Sequence, residues 1–122
     1  MKSQSFYRNF INSYFDKYHK VDEGVIKLSK ADGNIHNILV CGICVKLLSE
    51  ENTIFITQAR LKGCRPDVIF FRGNQVFIVE VRDSETDKKS IEKLEKLPEE
   101  LREFVIYIDA NKDLKTELEK IK

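Results

Sequence analysis

The sequence is poor in the residues that mark several specialised classes of protein. It has no tryptophan, one methionine, two prolines and only three cysteines. Three cysteines are too few for the disulfide framework of a small secreted domain. The longest unbroken apolar run, residues 38–45, is far shorter than the roughly 20 residues of a membrane-spanning helix. The first residues do not have the hydrophobic core of a secretory signal, so we expect none. The composition predicts a cytoplasmic protein with reduced thiols and no membrane partner.

A strong charge of either sign is also missing. The formal net charge is +1, from 21 basic and 20 acidic residues, so the overall field does not favour unselective binding to nucleic acid. Any contact with nucleic acid must come from a local basic patch. A chain of 122 residues that is 42% hydrophobic can build one core but not two. We therefore predict a single domain over residues 1–122.

Hydrophobic periodicity predicts alternating helices and strands. Aromatic residues at helical spacing indicate a helix over residues 5–19, whose stripe docks on the core or on a partner: Phe6, Phe10, Tyr14 and Tyr18. A second, buried helix is predicted over residues 34–49, with Asp32 or Asn34 as its N-cap. Runs rich in β-branched and aromatic residues predict strands at residues 53–58, 67–71, 76–82 and 104–108. A helix ending at Pro98 and a last helix from about Asn111 complete the order.

The second and third strands form a hairpin whose register follows from its turn. Gly73 and Asn74 suit a two-residue type II′ turn, which needs a positive φ at its first central residue. This turn places Asp67 directly opposite Glu80, with Cβ atoms about 4.5–5.5 Å apart on one face of the sheet. Arg65 and Arg82 extend that face by the same alternation. The apolar residues between them line the other, buried face: Val68, Phe70, Phe77, Val79 and Val81.

Two carboxylates that face each other repel, so they need a compensating cation. One interpretation is a surface ion network in which Arg65 and Arg82 neutralise the pair. The other is a hard divalent cation, Mg²⁺ or Mn²⁺, held with the help of water and phosphate oxygens. The pattern alone leaves both interpretations open.

The residues Arg65-Pro66-Asp67, followed twelve residues later by Glu80-Val81-Arg82, resemble the signature of the PD-(D/E)XK nucleases. The resemblance covers residues 34–108 and implies an α/β, restriction endonuclease-like core with the order α-β-β-β-α-β. Residues 1–33 then add the aromatic helix with its connector, and residues 109–122 add a C-terminal helix. The implied activity is that of a metal-dependent DNA endonuclease. Small Holliday junction resolvases are nearest in size, and this analogy suggests branched DNA as substrate.

The resemblance also implies roles for individual residues. Asp67, Glu80 and the carbonyl of Val81 correspond to the metal ligands. Arg82 stands at the lysine position of the motif, where it cannot act as a general base but can stabilise charge on a phosphate. His36 stands where many relatives have an acidic residue on the first core helix, and Gln58 is a further catalytic candidate on the preceding strand. A lysine, if required, would have to come from Lys88, Lys89 or Lys62.

Basic residues in loops and at strand ends are candidates for tracking a DNA backbone: Arg60, Lys62, Arg65, Arg72, Lys88 and Lys89. Each of them taken singly can equally be ordinary solvated surface charge. A homodimer is a further expectation, formed either through the N-terminal aromatic helix or through a sheet edge.

Two other interpretations compete with the nuclease. Arginine at the lysine position and the missing helix acid also fit a degraded domain that binds DNA or protein without cutting. The Cys41 to Cys44 CxxC pattern is typical of thiol redox and metal sites, but within an apolar helix it favours core packing. Three cysteines cannot ligate an iron–sulfur cluster alone, and a zinc site lacks a well-spaced fourth ligand.

Overall fold

The structure is a computed structural model, and it describes residues 2–16, 22–82, 92–93 and 95–121. Its helices and strands are α1 (Lys2–Tyr14), α2 (Asn34–Leu48), β1 (Thr53–Thr57), β2 (Val68–Arg72), β3 (Gln75–Arg82), β4 (Val105–Asp109) and α3 (Leu114–Leu118). Short 3-10 segments occur at Lys30–Asp32, Glu99–Phe104 and Glu119–Ile121. The predicted helix before Pro98 lies partly outside the described residues, and of those described, residues 92, 93 and 95 are helical.

The four strands form one mixed sheet in the order β1-β2-β3-β4. β1, β2 and β3 are antiparallel neighbours, whereas β4 runs parallel to β3. A parallel pair needs a crossover connection between its strands, and residues 83–104 provide that length. The chain thus has the α/β class that the sequence predicted.

The β2–β3 hairpin has the predicted register. Phe71 pairs with Val76 and Ile69 pairs with Ile78, and Gly73 has the positive φ, 58°, that its place in the turn requires. The last pair of the ladder joins Val68 to Val79. Asp67 immediately precedes that pair and therefore reaches the level of Glu80.

Both faces of the sheet are buried, whereas the sequence analysis assigned a buried role to only one. Ile69, Phe71 and Ile78 share the face of Glu80, and they pack in one cluster with residues of α1 and the segment before β4. Val68 and Phe70 pack in a second cluster with α2 on the opposite face. A sheet covered on both sides has strands that are continuously apolar rather than alternating. Glu80 is consequently buried, with 5% of its surface exposed.

α1 covers the first of these faces with its aromatic side chains. The ring centroids of Tyr7 and Phe10 lie 4.9 and 5.3 Å from that of Phe71. The helix ends at Tyr14 rather than near residue 19, because Phe15 forms a β-bridge with Leu61. The described part of the aromatic stripe docks on the chain's own sheet, and the dimer through this helix stays a prediction.

α2 covers the other face but is apolar on both of its sides. Leu39, Ile43 and Leu47 are buried against the sheet. The prediction of a fully buried helix is wrong for four residues that are 59–61% exposed: Ile35, Ile38, Val45 and Leu48. The predicted N-cap is also wrong, because Gly33, with φ of 83°, occupies that position and no side chain caps the helix.

The C-terminal helix begins later than predicted. Asp113 is its N-cap and accepts a hydrogen bond at Oδ2 from the backbone N–H of Thr116, 3.1 Å away. One turn on, Glu117 is buried and accepts a 2.7 Å hydrogen bond at Oε1 from the backbone N–H of Asp109. The first bond caps the helix, and the second joins it to the end of β4.

Candidate active site

Asp67 and Glu80 meet at the end of the β2–β3 ladder. The backbone N–H of Val81 donates a 2.7 Å hydrogen bond to Asp67 Oδ2, which orients the carboxylate towards β3. The two carboxyl groups are close enough for the charge of Asp67, in addition to burial, to raise the pKa of Glu80. Because Asp67 comes just before β2 and Glu80 lies within β3, the site stands at an open end of the sheet while both carboxyls remain largely buried.

His36 reaches the same site from the first turn of α2. Its Nε2 lies 3.0 Å from Asp67 Oδ1. The hydrogen bond to Asp67 raises the pKa of His36, with burial opposing the rise. Nearby, the side-chain amide of Asn37 donates a 2.9 Å hydrogen bond to the carbonyl of Ser29, which anchors this end of the helix. The other ring nitrogen of His36, Nδ1, is buried and has no hydrogen-bond partner within the described part of the chain.

Lys93 completes the cluster, and the sequence analysis missed it. Its Nζ lies 2.8 Å from Glu80 Oε1 and 4.0 Å from Asp67 Oδ1. Burial opposes its charge, but the two carboxylates outweigh burial and raise the pKa of Lys93. The available signal was its place one helical turn before the buried Leu97, since residues four apart share a helix face. That spacing directs Lys93 towards the core side of the segment.

The two carboxyl groups of the pair titrate differently. Burial, together with the charge of Asp67, raises the pKa of Glu80 to about 8. Burial also disfavours the charge on Asp67, but the bond from His36, the charge of Lys93 and the N–H of Val81 lower its pKa overall. At neutral pH, Glu80 therefore retains its proton most of the time while Asp67 is ionised. Repulsion between the two groups prevents both carboxyls from ionising, and a bound cation would relieve that repulsion.

Within the described residues, Lys93 and His36 bond to the pair, in the role that one sequence interpretation gave to Arg65 and Arg82. Arg65 is exposed. The guanidinium carbon of Arg82 lies 4.3 Å from the centroid of the Tyr107 ring. Lysine could not make an equivalent stacking contact, because it lacks the planar guanidinium group. Because Glu80 is buried, the weak energetics of exposed surface ion pairs do not describe this cluster.

Two cavities open onto the cluster. The larger, of about 740 Å³, lies between the start of α2 and the ends of β3 and β4, and His36, Asp67, Glu80, Arg82 and Lys93 all line it. A smaller one, of about 50 Å³, brings in two further predicted residues, Gln58 and Arg65. Gln58 has a φ of 54°, a conformation that costs a residue other than glycine on the order of 1 kcal/mol. All five predicted catalytic residues thus line one or both of these cavities.

The predicted DNA-binding residues are only partly near the site. Arg60, Lys62 and Arg65 are exposed on the β1–β2 connection, where Lys62 and Gly63, with φ values of 51° and 89°, form a tight turn closed by two backbone bonds between Leu61 and Cys64. Lys88 and Lys89 lie outside the described residues. Of these three exposed basic residues, Arg65 lines the smaller cavity.

Arg72 lies away from the carboxylate cluster, and its role in DNA binding stays a prediction. It ends β2, about 16 Å from Asp67 at the usual rise of a strand. Its guanidinium group forms an ion pair with both carboxylate oxygens of Glu50 and donates a 2.6 Å hydrogen bond to the carbonyl of Ile121. Arg72 therefore joins the end of α2 to the C-terminal segment.

The core-packing interpretation of the Cys41–Cys44 pattern holds fully for Cys44 and partly for Cys41. Cys44 and Cys64 are buried, and Cys41 is half-buried on α2. Burial raises the pKa of the Cys44 thiol to about 12, which removes the thiolate that redox chemistry and metal ligation need. The CxxC pattern is thus part of the helix that packs on the sheet.

Similarity to known proteins does not add to this description. Comparison with family models, with curated proteins and with solved structures finds no match to the chain. No helix in the described ranges is long and apolar enough to cross a membrane. In the same ranges, no set of three or more His, Cys, Asp or Glu side chains is arranged to hold a metal ion. The carboxylate pair with Lys93 and His36 is the feature from which a function can be argued.

Proposed function

We propose that the protein is a metal-dependent DNA endonuclease with a restriction endonuclease-like core, in which Lys93 replaces the lysine missing from the sequence motif. The observation that carries the proposal is the buried Asp67–Glu80 pair, hydrogen-bonded to Lys93, at the open end of the sheet. Buried titratable groups with strongly shifted pKa values in a cavity are typical of active sites.

The arrangement of the secondary structure supports the same proposal. α2 is followed by three antiparallel strands, helical residues and a fourth strand parallel to β3. This is the order that the resemblance implies for the core. The proposed site lies where the ends of β2 and β3 meet the first turn of α2, which gathers side chains from three separate segments.

The residues present suit a hard divalent cation such as Mg²⁺ or Mn²⁺. Asp67 and Glu80 offer carboxylate oxygens, and the carbonyl of Val81 is the expected backbone ligand. With only two side-chain ligands in the described cluster, oxygen atoms from water and from a substrate phosphate must supply the rest, as these cations tolerate. When bound, the cation would lower the pKa of a coordinated water and so supply a nucleophile for phosphodiester hydrolysis.

The chain's own residues take distinct parts in this proposal. Lys93 is kept protonated by the carboxylates, so it offers positive charge to the phosphate where negative charge develops. His36 is a positioning residue that holds Asp67 through Nε2. Arg82 lines the larger cavity and can contact a phosphate with a guanidinium group that Tyr107 orients. Gln58 borders the site from the end of β1.

Three exposed basic residues on the β1–β2 connection, of which Arg65 lines the smaller cavity, are the proposed contacts for the DNA backbone: Arg60, Lys62 and Arg65. Their number is modest, which fits a protein with a net charge of +1 that depends on local contacts. Free thiols at Cys41, Cys44 and Cys64 support the proposed cytoplasmic location.

The direct test is cleavage of labelled linear, single-stranded and four-way-junction DNA in the presence of Mg²⁺, Mn²⁺ or EDTA. We expect cleavage with either metal and none with EDTA, with the junction as the favoured form. The same DNA molecules are used in a binding assay in EDTA. Binding without cleavage under every metal condition would contradict the nuclease and favour the degraded, DNA-binding domain.

Metal binding should also release protons. Glu80 holds its proton below a pKa of about 8, and a cation can bind the ionised carboxylate only after that proton leaves. We therefore expect the apparent affinity for Mn²⁺ to rise close to tenfold per pH unit between pH 6 and 8 and to level off above pH 8. Each tenfold change corresponds to about 1.4 kcal/mol of binding free energy. Isothermal titration in two buffers of different ionisation enthalpy measures the proton release. A flat affinity over this range would show that Glu80 is not a ligand.

A further inference from the structure

A third cavity, of about 450 Å³, opens at the turn end of β3, between α1 and the Glu99–Phe104 segment, and we call it the α1 cavity. Its floor consists of Phe10, Val76 and Leu101, which are only 3–5% exposed. Val76 and Glu80 are four residues apart on β3, about 13 Å at the usual rise of a strand. Among the described residues, the α1 cavity shares no lining residue with the two cavities at the carboxylate cluster.

Aromatic rings line the α1 cavity. Phe10 and Tyr14 lie one turn apart on α1, with ring centroids 4.8 Å apart and ring planes tilted by 44°. The ring of Phe6, one turn earlier, has its centroid 6.4 Å from that of Phe10 and a tilt of 43°. Phe77 and Phe104 also line the cavity, and Phe104 is 36% exposed. Because the face of an aromatic ring carries partial negative charge, rings grouped in this way attract an organic cation.

The charged side chains that line the α1 cavity are acidic. Glu100 and Glu103 line it, and among the described residues no lysine or arginine does. Arg102, which stands between them in the sequence, instead donates a 3.1 Å hydrogen bond to the carbonyl of Glu95. Glu100 accepts a 3.2 Å hydrogen bond from the hydroxyl of Tyr14. The ion pairs between described residues include neither Glu100 nor Glu103, so both carboxylates offer negative charge to a ligand.

We propose that the α1 cavity binds a small organic cation, an amine with an apolar body. The body rests on the buried floor, and the ammonium group lies between the aromatic faces and the carboxylates of Glu100 and Glu103. The volume of the cavity falls within the range of small-molecule sites, about 300–1,000 Å³. The same two carboxylates disfavour an anion, which excludes nucleotides and other phosphates from this cavity. The proposal does not depend on the nuclease activity, because the two places share no residue.

A ligand in the α1 cavity contacts three parts of the chain that are distant in sequence. These are α1, the start of β3 and the Glu99–Phe104 segment. Because the cavity exists only where the three parts pack together, the ligand binds the folded chain and not the unfolded one. A bound cation therefore raises the temperature of unfolding, and the rise grows with the concentration of the cation.

The test compares three probes that share a phenyl body and differ in the charge of the end group. Phenethylamine is a cation at neutral pH, phenethyl alcohol is neutral and phenylpropionate is an anion. Each is titrated into the isotopically labelled protein, and amide chemical shifts give the affinity and the location. We expect the amine to bind about tenfold tighter than the alcohol and the anion to bind most weakly. The largest shifts are expected at Val76, Phe77 and Leu101.

The Glu100→Gln/Glu103→Gln variant should lower the preference for the amine over the alcohol at least about threefold and keep the affinity for the alcohol. Glu99→Gln is the matched control, because Glu99 is exposed in the same segment and does not line the cavity. Equal binding of the three probes by the parent protein, or no binding, would overturn the proposal. So would an unchanged preference in the double variant, or shifts confined to Glu80 and Val81, which would place the cation at the carboxylate cluster instead.

Discussion

Glu80→Gln should abolish metal-dependent cleavage and at the same time make the metal-free protein more stable at alkaline pH. Glutamine keeps the size of the side chain and an oxygen that can accept the bond from Lys93, but it cannot ionise. Loss of a ligand carboxylate should reduce the cleavage rate roughly 1,000-fold or more, because the proposed metal supplies most of the transition-state stabilisation. If Glu80 served only in a structural ion pair, Glu80→Gln would instead make the protein less stable.

The expected gain in stability follows from the direction of the pKa shift. The pKa of Glu80 is about 8 in the folded protein and 4.5 for an ordinary glutamate, so the folded state binds more protons than the unfolded state between these values. The free energy of unfolding therefore falls as pH rises from 4.5 to 8. A difference of this size corresponds to at most about 5 kcal/mol. Because the Asp67–Glu80 pair can rearrange, the expected effect is smaller than this limit. We expect the free energy of unfolding of Glu80→Gln to exceed that of the parent protein by about 2–3 kcal/mol above pH 8.

Denaturant unfolding in EDTA between pH 5 and pH 9 measures this effect. The parent protein and the Glu80→Gln variant should be similarly stable near pH 5 and diverge as pH rises. Glu95→Gln is the matched control, because Glu95 is exposed, and it should follow the parent protein throughout. A Glu80→Gln protein that is less stable than the parent at pH 9 would favour the structural ion network.

Lys93→Met should lower the rate of cleavage by about 100- to 1,000-fold, the usual effect of removing one group that stabilises transition-state charge. Methionine retains most of the buried length of lysine but not its charge. Mn²⁺ binding should persist, because Asp67 and Glu80 remain and lose a competing cation. The expected result at alkaline pH is therefore a loss of turnover without a loss of metal affinity, whereas the higher pKa expected for Glu80 lowers the apparent affinity near neutral pH.

Single-turnover cleavage and Mn²⁺ titration separate these two quantities. Lys96→Met removes the same charge from an exposed position three residues away and should leave cleavage near the parent rate. Adding Arg82→Lys to Lys93→Met tests whether a lysine at the motif position can restore activity. Equal rates for the Lys93→Met and Lys96→Met proteins would remove Lys93 from the proposed site.

Local patterns in the sequence were sufficient to pair Asp67 with Glu80. A two-residue turn at Gly73 and the alternation of side chains along a strand determine the register without any distant contact. For the same reason, the limits of β1 to β3 and the start of α2 differ from the predictions by at most one residue. His36 was a candidate as well, because its place on α2 follows from the order of the elements.

Other features depended on how distant segments pack. Lys93 joins the site through a helical segment thirteen residues beyond Glu80 in the chain. Its spacing from Leu97 indicates a core-facing position, but no local pattern shows that this position meets the two carboxyls. Arg72 was placed near the site because it stands at a strand end, yet it lies at the far end of β2, where it bonds to Glu50 and to the carbonyl of Ile121. The exposure of Ile38 and Val45 also depends on the tertiary arrangement, since the sheet covers only one side of α2.

The sequence by itself determined the α/β class, the hairpin register and the meeting of two carboxylates, because short-range sterics and turn geometry govern all three. Only the tertiary structure decided that Glu80 is buried, that Lys93 and His36 hold the pair, and that one apolar side of α2 remains open. Burial and contacts between distant segments depend on which parts of the chain pack against each other, and a local pattern of residues does not contain that information.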